Sequence, residues 1–209
     1  MHRHDVDRFG EWAPTYEQHW MQRRIMGPVQ DTVLEVAAAQ VLQPEAILDI
    51  GCGTGRLLRA AAERFPGARL EGVDAAEGMV KQAAALLPAG TQIHFQLATA
   101  ESLPFEDSSF ELVFSTMTFH HWSDQEKAIG EVKRVLTPRG RWILADIVAK
   151  GPMAFALKLL RIGRVVSPSG LDQMVDAKAL AVIDRKKVGG TGGNISVLAI
   201  GSSTRDAHL

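Results

Sequence analysis

Short apolar runs alternate along the chain with stretches of helical periodicity, a pattern that predicts βαβ units and a mostly parallel sheet. Strands are expected at Ala46–Ile50, Arg69–Asp74, Gln92–Leu97, Phe110–Thr116, Trp142–Ile147, Ala181–Val188 and Ile195–Ile200. Helices are expected between them, at Arg56–Arg64, Glu77–Leu87 and Asp124–Leu136. The first strand is apolar on both faces, as a central strand covered on each side must be. Ser123 and Glu126 have the S-x-x-E spacing of a capping box, and Thr137-Pro138-Arg139-Gly140 reads as the stop of the same helix. The glycine-rich turn Gly189-Gly190-Thr191-Gly192-Gly193 separates the last two strands as a closing hairpin. The expectation is one doubly wound α/β domain over 1–201, with a helical cap at 1–42, an alternating core at 46–147, a helix and closing hairpin at 150–201, and a polar tail at 202–209.

Composition narrows the class. The chain has 209 residues, 46% of them apolar, enough for a full core, and its charges nearly cancel at −1. A polynucleotide partner usually needs a basic surplus, so none is expected. Cys52 is the only cysteine, which excludes an internal disulfide and a cysteine-built zinc site. No uncharged apolar run is long enough to span a bilayer, and the polar start lacks a secretory pattern, so the expected compartment is the cytoplasm.

The candidate chemistry begins at Ile47-Leu48-Asp49-Ile50-Gly51-Cys52-Gly53-Thr54-Gly55, where a buried strand runs into a helix. Glycines at alternate positions permit positive φ and let backbone approach a ligand closely; the plainer alternative is a tight βα turn. A dinucleotide fingerprint would place a third small residue at position 56, which is Arg56, and a phosphate loop would continue with Lys and Ser or Thr, which are absent. Asp49 would repel a phosphate and suits a ligand with a positive amino group. Asp74, about twenty residues past the loop, is placed to accept hydrogen bonds from ribose hydroxyls, the alternative being a cap on the next helix.

Together these segments resemble the class I S-adenosylmethionine-dependent methyltransferases, in particular the small-molecule group that includes ubiquinone and menaquinone methyltransferases. Leu48–Gly55 is similar to the family's first motif, and Gly72-Val73-Asp74 with Met79 to its ribose and adenine segment. Ala100-Glu101-Ser102-Leu103-Pro104-Phe105, Ser109–Val113 and Glu131–Gly140 match later motifs in the family's order. The resemblance implies a seven-stranded sheet with an antiparallel last strand, S-adenosylmethionine as cofactor and S-adenosylhomocysteine as product. It implies that Asp49 and the loop Gly51, Cys52, Gly53 and Gly55 hold the methionine part, that Asp74 holds the ribose, and that Ala75 and Met79 line the adenine pocket. Thr99, Ala100 and Ser115 complete the expected cofactor-binding set, with Tyr16 closing it from an N-terminal segment that folds over the cofactor in the family. Two departures stand out. Ala98-Thr99 replaces the family's frequent Gly-Asp, removing the usual carboxylate that reads the adenine amino group, and Arg139 sits in the usual Gly-Gly turn.

Methyl transfer needs alignment above all, and orientation alone supplies roughly 7–11 kcal/mol. If a base takes part, it belongs at the end of the fourth strand, where Ser115-Thr116-Met117-Thr118-Phe119-His120-His121-Trp122 is found. His120 and His121 are equal candidates here for activating an acceptor hydroxyl or enol, against the alternative that they line the pocket or cap a helix. No third ligand or acidic company supports a metal. The segment also lacks the Asn/Asp-Pro-Pro-aromatic signature of enzymes that methylate DNA bases.

Trp12, Tyr16 and Trp20 recur every fourth residue and would share one helix face, as packing or as part of the closing segment. The apolar and basic stretch 150–164 is read as a sheet-covering helix, a lid over an apolar acceptor, or a peripheral contact with an anionic membrane. The expected activity is transfer of a methyl group to O, C or N of a small apolar acceptor. The alternatives are a binding module that holds the cofactor with weak turnover, and a nicotinamide-dependent oxidoreductase.

Overall fold

The computed structural model describes residues 3–20, 22–148, 164–189 and 195–203. Its centre is a seven-stranded sheet formed by β1 (Ala46–Ile50), β2 (Arg69–Asp74), β3 (Ile93–Leu97), β4 (Phe110–Thr116), β5 (Leu136–Ile147), β6 (Leu180–Lys187) and β7 (Ile195–Ser202), in the order β3-β2-β1-β4-β5-β7-β6. The pairs from β3 to β5 are parallel, and β7 runs antiparallel to both β5 and β6. The sheet is therefore seven-stranded with an antiparallel last strand, as expected.

Alternation along the strands divides the core. Leu48, Ile50, Val113, Trp142, Leu144, Leu198 and Ile200 face one layer, built from α5 (Gln125–Val135) and α6 (Pro168–Asp176). Ile47, Leu112, Phe114, Ile143, Ala145, Val197 and Ala199 face the other, where α2 (Gly27–Gln40) contributes Val29, Val33 and Val36 and α3 (Arg56–Arg64) contributes Leu57, Leu58 and Ala61. Helix α2 is thus a sheet-covering helix, although its sequence falls in the stretch expected to form a cap.

The cap proper is α1 (Arg3–Trp12) followed by a 3-10 turn (Ala13–Gln18). Pro14 supplies no amide for an α-helical bond, and the chain tightens there. The expected one-face stripe is consequently broken: Trp12 and Tyr16 meet edge to face at 5.0 Å, while Trp20 is 61% exposed. Helix α1 crosses α4 (Glu77–Ala85) where Gly10 meets Gly78; a Cβ on Gly78 would lie 2.5 Å from the Gly10 carbonyl oxygen.

The start of α5 differs from the expected capping box. Asp124 is the N-cap and its Oδ1 accepts the Lys127 amide at 3.0 Å. Ser123 precedes the cap, and its amide and that of Asp124 both donate to Glu101 Oε1. The expected helix stop at Thr137–Gly140 lies inside β5, where the register with β4 shifts between Phe110 and Leu112. The glycine turn and the 150–164 stretch fall outside the described residues, apart from Gly189 and Arg164.

Candidate active site

Reversal of strand order between β1 and β4 leaves a crevice at the carboxyl ends of the strands, the place where open α/β sheets bind ligands. Two clefts meet there at Gly51. One is lined by Asp74, Ala75, Ala98, Thr99, Ala100, Glu101, Thr118 and Trp122. The other is lined by Tyr16, Gln22, Met26, Gln30, Asp49, Cys52, Gly53, Thr54, Arg56, Leu57 and Thr116.

The loop between β1 and α3 is built by its glycines. Gly51, Gly53 and Gly55 have φ of +75°, +53° and +76°. Position 51 also lacks room: a Cβ there would lie 2.2 Å from Thr118 Oγ1. At Gly55 it would lie 2.5 Å from the Phe95 ring. The loop's amides turn inward. Those of Gly51 and Cys52 donate to the Val73 carbonyl at 2.8 and 3.0 Å, that of Gly53 to Asp74 Oδ2 at 2.9 Å, and that of Gly55 to the Cys52 carbonyl at 2.9 Å. A phosphate-binding loop presents such amides to its ligand; this one has engaged four of them with the protein.

Asp74 also accepts the Ala76 amide through Oδ1 at 2.9 Å, so it ties the loop to the corner before α4. The N-cap of α4 is Ala76, not Asp74. Burial raises the Asp74 carboxyl above its ordinary value, against the pull of these amides.

Asp49 is the opposite case. It is buried, and its Oδ1 has no hydrogen-bond partner. Burial and the nearby Asp74 charge push its pKa up to about 8. Thr116 Oγ1, on the same side of the sheet and in the same cleft, is likewise buried and unpartnered. Such orphans cost about 1–3 kcal/mol each unless something pairs with them. The neighbouring Cys52 thiol is pushed up by burial and by both carboxylates, which makes it a packing residue and no nucleophile at neutral pH.

Two expected residues lie elsewhere. Ser115 faces the core, where its Oγ accepts the Trp142 indole N–H at 3.1 Å; strand alternation turns Thr116 to the cleft in its place. Met79 lines neither cleft and packs with Ala13 and Ala76 beneath Tyr16. Tyr16 does reach the loop, with its ring 4.0 Å from where a Gly53 Cβ would stand. Its segment is fastened by Glu17, whose Oε1 accepts from Thr54 Oγ1 at 2.7 Å and Arg59 at 2.6 Å, and by Arg56, which donates to the Gln22 carbonyl at 3.0 Å.

The two histidines separate. His120 is buried with its Nδ1 2.6 Å from Asp146 Oδ1, and its amide donates to Asp146 Oδ2 at 3.2 Å. The His121 ring lies 4.1 Å from that of His120, tilted by 42°, and meets Phe9 edge to face at 5.4 Å. Asp146, near the end of β5, was not singled out in the sequence, although an acid in the apolar run Trp142–Ile147 was a visible signal. Arg164 donates its amide to the His120 carbonyl at 2.6 Å and its guanidinium to the Ser123 carbonyl. Among the described residues no group of three metal-ligating side chains is found.

Comparison with known proteins decides the family. A model described as a methyltransferase domain matches residues 48–144. The demethylmenaquinone methyltransferase of Thermus thermophilus is 35% identical over 161 residues, which cover 71% of this chain and 68% of that protein. The chain belongs to the S-adenosylmethionine-dependent methyltransferase family. A malonyl-[acyl-carrier protein] O-methyltransferase of Geobacter sulfurreducens is 37% identical over 125 residues, 60% of this chain and 45% of that one, so this methyltransferase spans less than half of that relative's length. Among solved structures, a Haloferax volcanii methyltransferase in complex with the Trm112 activator superposes with a TM-score of 0.79 at 19% identity, over 93% of this chain and 97% of that one, a likeness of fold.

The residues of this methyltransferase fit that family's cofactor. Asp49 Oδ1 is a buried acceptor able to take an ammonium group, and the three positive-φ glycines let the backbone pass close to a ligand. Ala75, Thr99 and Ala100 stand along the adjoining cleft.

Proposed function

We propose that the chain transfers the methyl group of S-adenosylmethionine to oxygen, carbon or nitrogen of a small apolar acceptor. One observation carries this most directly: a buried, unpartnered carboxyl oxygen on Asp49 stands beside a glycine loop whose amides are engaged inward. That combination suits a cationic nucleoside and disfavours a diphosphate, which weighs against the nicotinamide alternative.

When bound, the cofactor supplies an electrophilic methyl group on a sulfonium centre. Asp49 holds the amino group, and Thr116 adds a hydroxyl nearby. Asp74 keeps the loop in shape through the Gly53 amide and offers its remaining lone pairs to ribose hydroxyls. Thr99 and Ala100 face the base, without the carboxylate found in many relatives. Tyr16 and its fastened segment exclude water from the loop.

His120 is the better candidate base of the two. Asp146 accepts the Nδ1 proton, which makes Nε2 the basic ring nitrogen, the atom that would take a proton from an acceptor hydroxyl or enol. The acceptor is proposed as a free small molecule, with no nucleic acid, and the cytoplasm as its compartment; a peripheral membrane contact through 150–164 remains part of the proposal. No described helix is long and apolar enough to cross a membrane.

Calorimetric titration with S-adenosylmethionine, S-adenosylhomocysteine and NADH tests the reading. Micromolar binding of the two sulfur nucleosides and none of NADH is expected; failure of both sulfur nucleosides to bind overturns it. Thr99 in place of an acid supports a second reading, a binding module, which predicts the same binding with no turnover across an acceptor screen.

A further inference from the structure

The adenine-side cleft and the histidine turn come from distant parts of the sequence, and Glu101 joins them. Ser102 donates its amide to the Thr99 carbonyl at 3.1 Å, closing a tight turn that carries Ala100 and Glu101 at its tip. The rest of that loop is bound to α5: the Leu103 amide reaches Glu131 Oε2 at 2.8 Å, and Arg134 donates to the Leu103 and Phe105 carbonyls at 3.0 and 2.6 Å. The tip has a different attachment. Glu101 Oε1 accepts the backbone amides of Ser123 at 2.7 Å and Asp124 at 3.2 Å, immediately after the turn that holds His120 and His121.

These bonds place one carboxylate between two sites. Glu101 lines the cleft assigned to the adenosyl part, with Thr99 and Ala100 on one side and Thr118 and Trp122 on the other. His120 and His121 line neither cleft. Glu101 therefore touches both the cleft and the amides that follow the histidine turn. Burial raises the Glu101 carboxyl; its own amide, that of Asp124, a positive charge from the N-terminus and the Ser123 amide together reverse this and hold it below the ordinary glutamate range. It is a charged acceptor under load from backbone donors, the stronger class of hydrogen bond.

We propose that Glu101 is a positioning residue that couples occupancy of the cofactor cleft to the placement of the His120–His121 turn, so that the acceptor side is set only once the cofactor is in place. The coupling is local and mechanical: one side-chain oxygen carries it from the cofactor loop to the amides that precede α5. The inference rests on the cofactor reading above.

Imidazole proton–nitrogen correlation spectra test it, in the wild type and in Glu101→Ala, Glu101→Asp and Glu101→Gln, each with and without saturating S-adenosylhomocysteine. Calorimetry on the wild type comes first. If the wild type does not bind, the cofactor reading falls and the coupling with it. If it binds, its His120 and His121 signals are expected to shift. Measured at saturation, Glu101→Ala should lose at least two thirds of that shift. Glu101→Asp keeps the charge but is one methylene too short, and should behave like Glu101→Ala, so it carries the test if the alanine variant does not fold. Glu101→Gln keeps an oxygen that accepts both amides and should restore the shift. An undiminished shift in Glu101→Ala or Glu101→Asp overturns the coupling while leaving the cofactor reading intact.

Discussion

His120 Nδ1 lies 2.6 Å from Asp146 Oδ1, both side chains are buried, and the second Asp146 oxygen accepts the His120 amide. An acceptor fixed on Nδ1 places the ring proton there and makes Nε2 the basic nitrogen of the ring. Asp146→Asn is close to isosteric but can present an N–H to the ring. Its expected result is a reversed tautomer in the His120 nitrogen spectrum, unchanged affinity for S-adenosylhomocysteine, and turnover lower by about 10²–10⁴ with a hydroxyl acceptor, the range for a lost general base. Full turnover in a folded Asp146→Asn variant would leave alignment as the whole mechanism.

The buried Asp49 carboxyl makes cofactor binding depend on pH. With its pKa pushed up to about 8, it is mostly protonated at pH 6 and must lose a proton to pair with an ammonium group. Affinity is therefore expected to rise by up to about tenfold per pH unit toward pH 8 and then level off. Titration in buffers of different ionisation enthalpy should report release of nearly one proton near pH 6.5. Asp49→Asn should bind more weakly at pH 8 and flatten the profile.

The same group affects stability. Its folded pKa is raised above the unfolded value, so the folded chain holds the extra proton between about pH 4 and pH 8. Stability from this group is full at the acid end and declines as pH rises through that window, by at most about 1.4 kcal/mol per unit. Denaturation of the cofactor-free protein from pH 5 to pH 8 should show the decline, and Asp49→Asn should lessen it.

Gly51 and Gly67 separate backbone strain from collision. Both have positive φ, +75° and +95°, but a Cβ at Gly67 meets nothing within 4 Å. Gly67→Ala is expected to cost about 1–2 kcal/mol, the left-handed penalty alone. Gly51→Ala adds the contact at 2.2 Å with Thr118 and should cost about 3 kcal/mol or more, measured as the shift in urea midpoint. Equal losses would mean that Thr118 gives way without cost.

Glu17 fastens the N-terminal segment to Thr54 and Arg59 on the far side of the loop. Glu17→Ala should leave the fold intact and speed S-adenosylhomocysteine release several-fold in stopped-flow displacement. An unchanged release rate would mean that the segment does not control exit.

The strand positions and the glycine loop were legible in the sequence because their signals are local: a buried apolar run, a turn that needs positive φ, and a helix. Asp74 and Asp49 were legible because an acid is conspicuous at the end of an apolar strand. Partners across the fold were not. Asp146 meets His120 only because β4 and β5 pair in parallel, and Glu101 takes the Ser123 amide only once α5 packs beside its loop. Ser115 and Thr116 differ by one step of strand alternation, so only the observed register could decide which faces the cleft. Met79 has helical spacing that fits either lining or packing, and the Gly10–Gly78 crossing brings Ala13 over it.

The inward-facing amides of Gly51, Cys52, Gly53 and Gly55 have a further consequence. Three of them are held by main-chain carbonyls, so ligand preference at this loop is written largely in main-chain direction, and side-chain substitution reaches it only through Asp74, which holds the Gly53 amide. Evolution or engineering can therefore retune the acceptor end of the crevice residue by residue, whereas a change of cofactor class would require β2 to release Val73 and Asp74 from the loop and so rebuild the middle of the sheet.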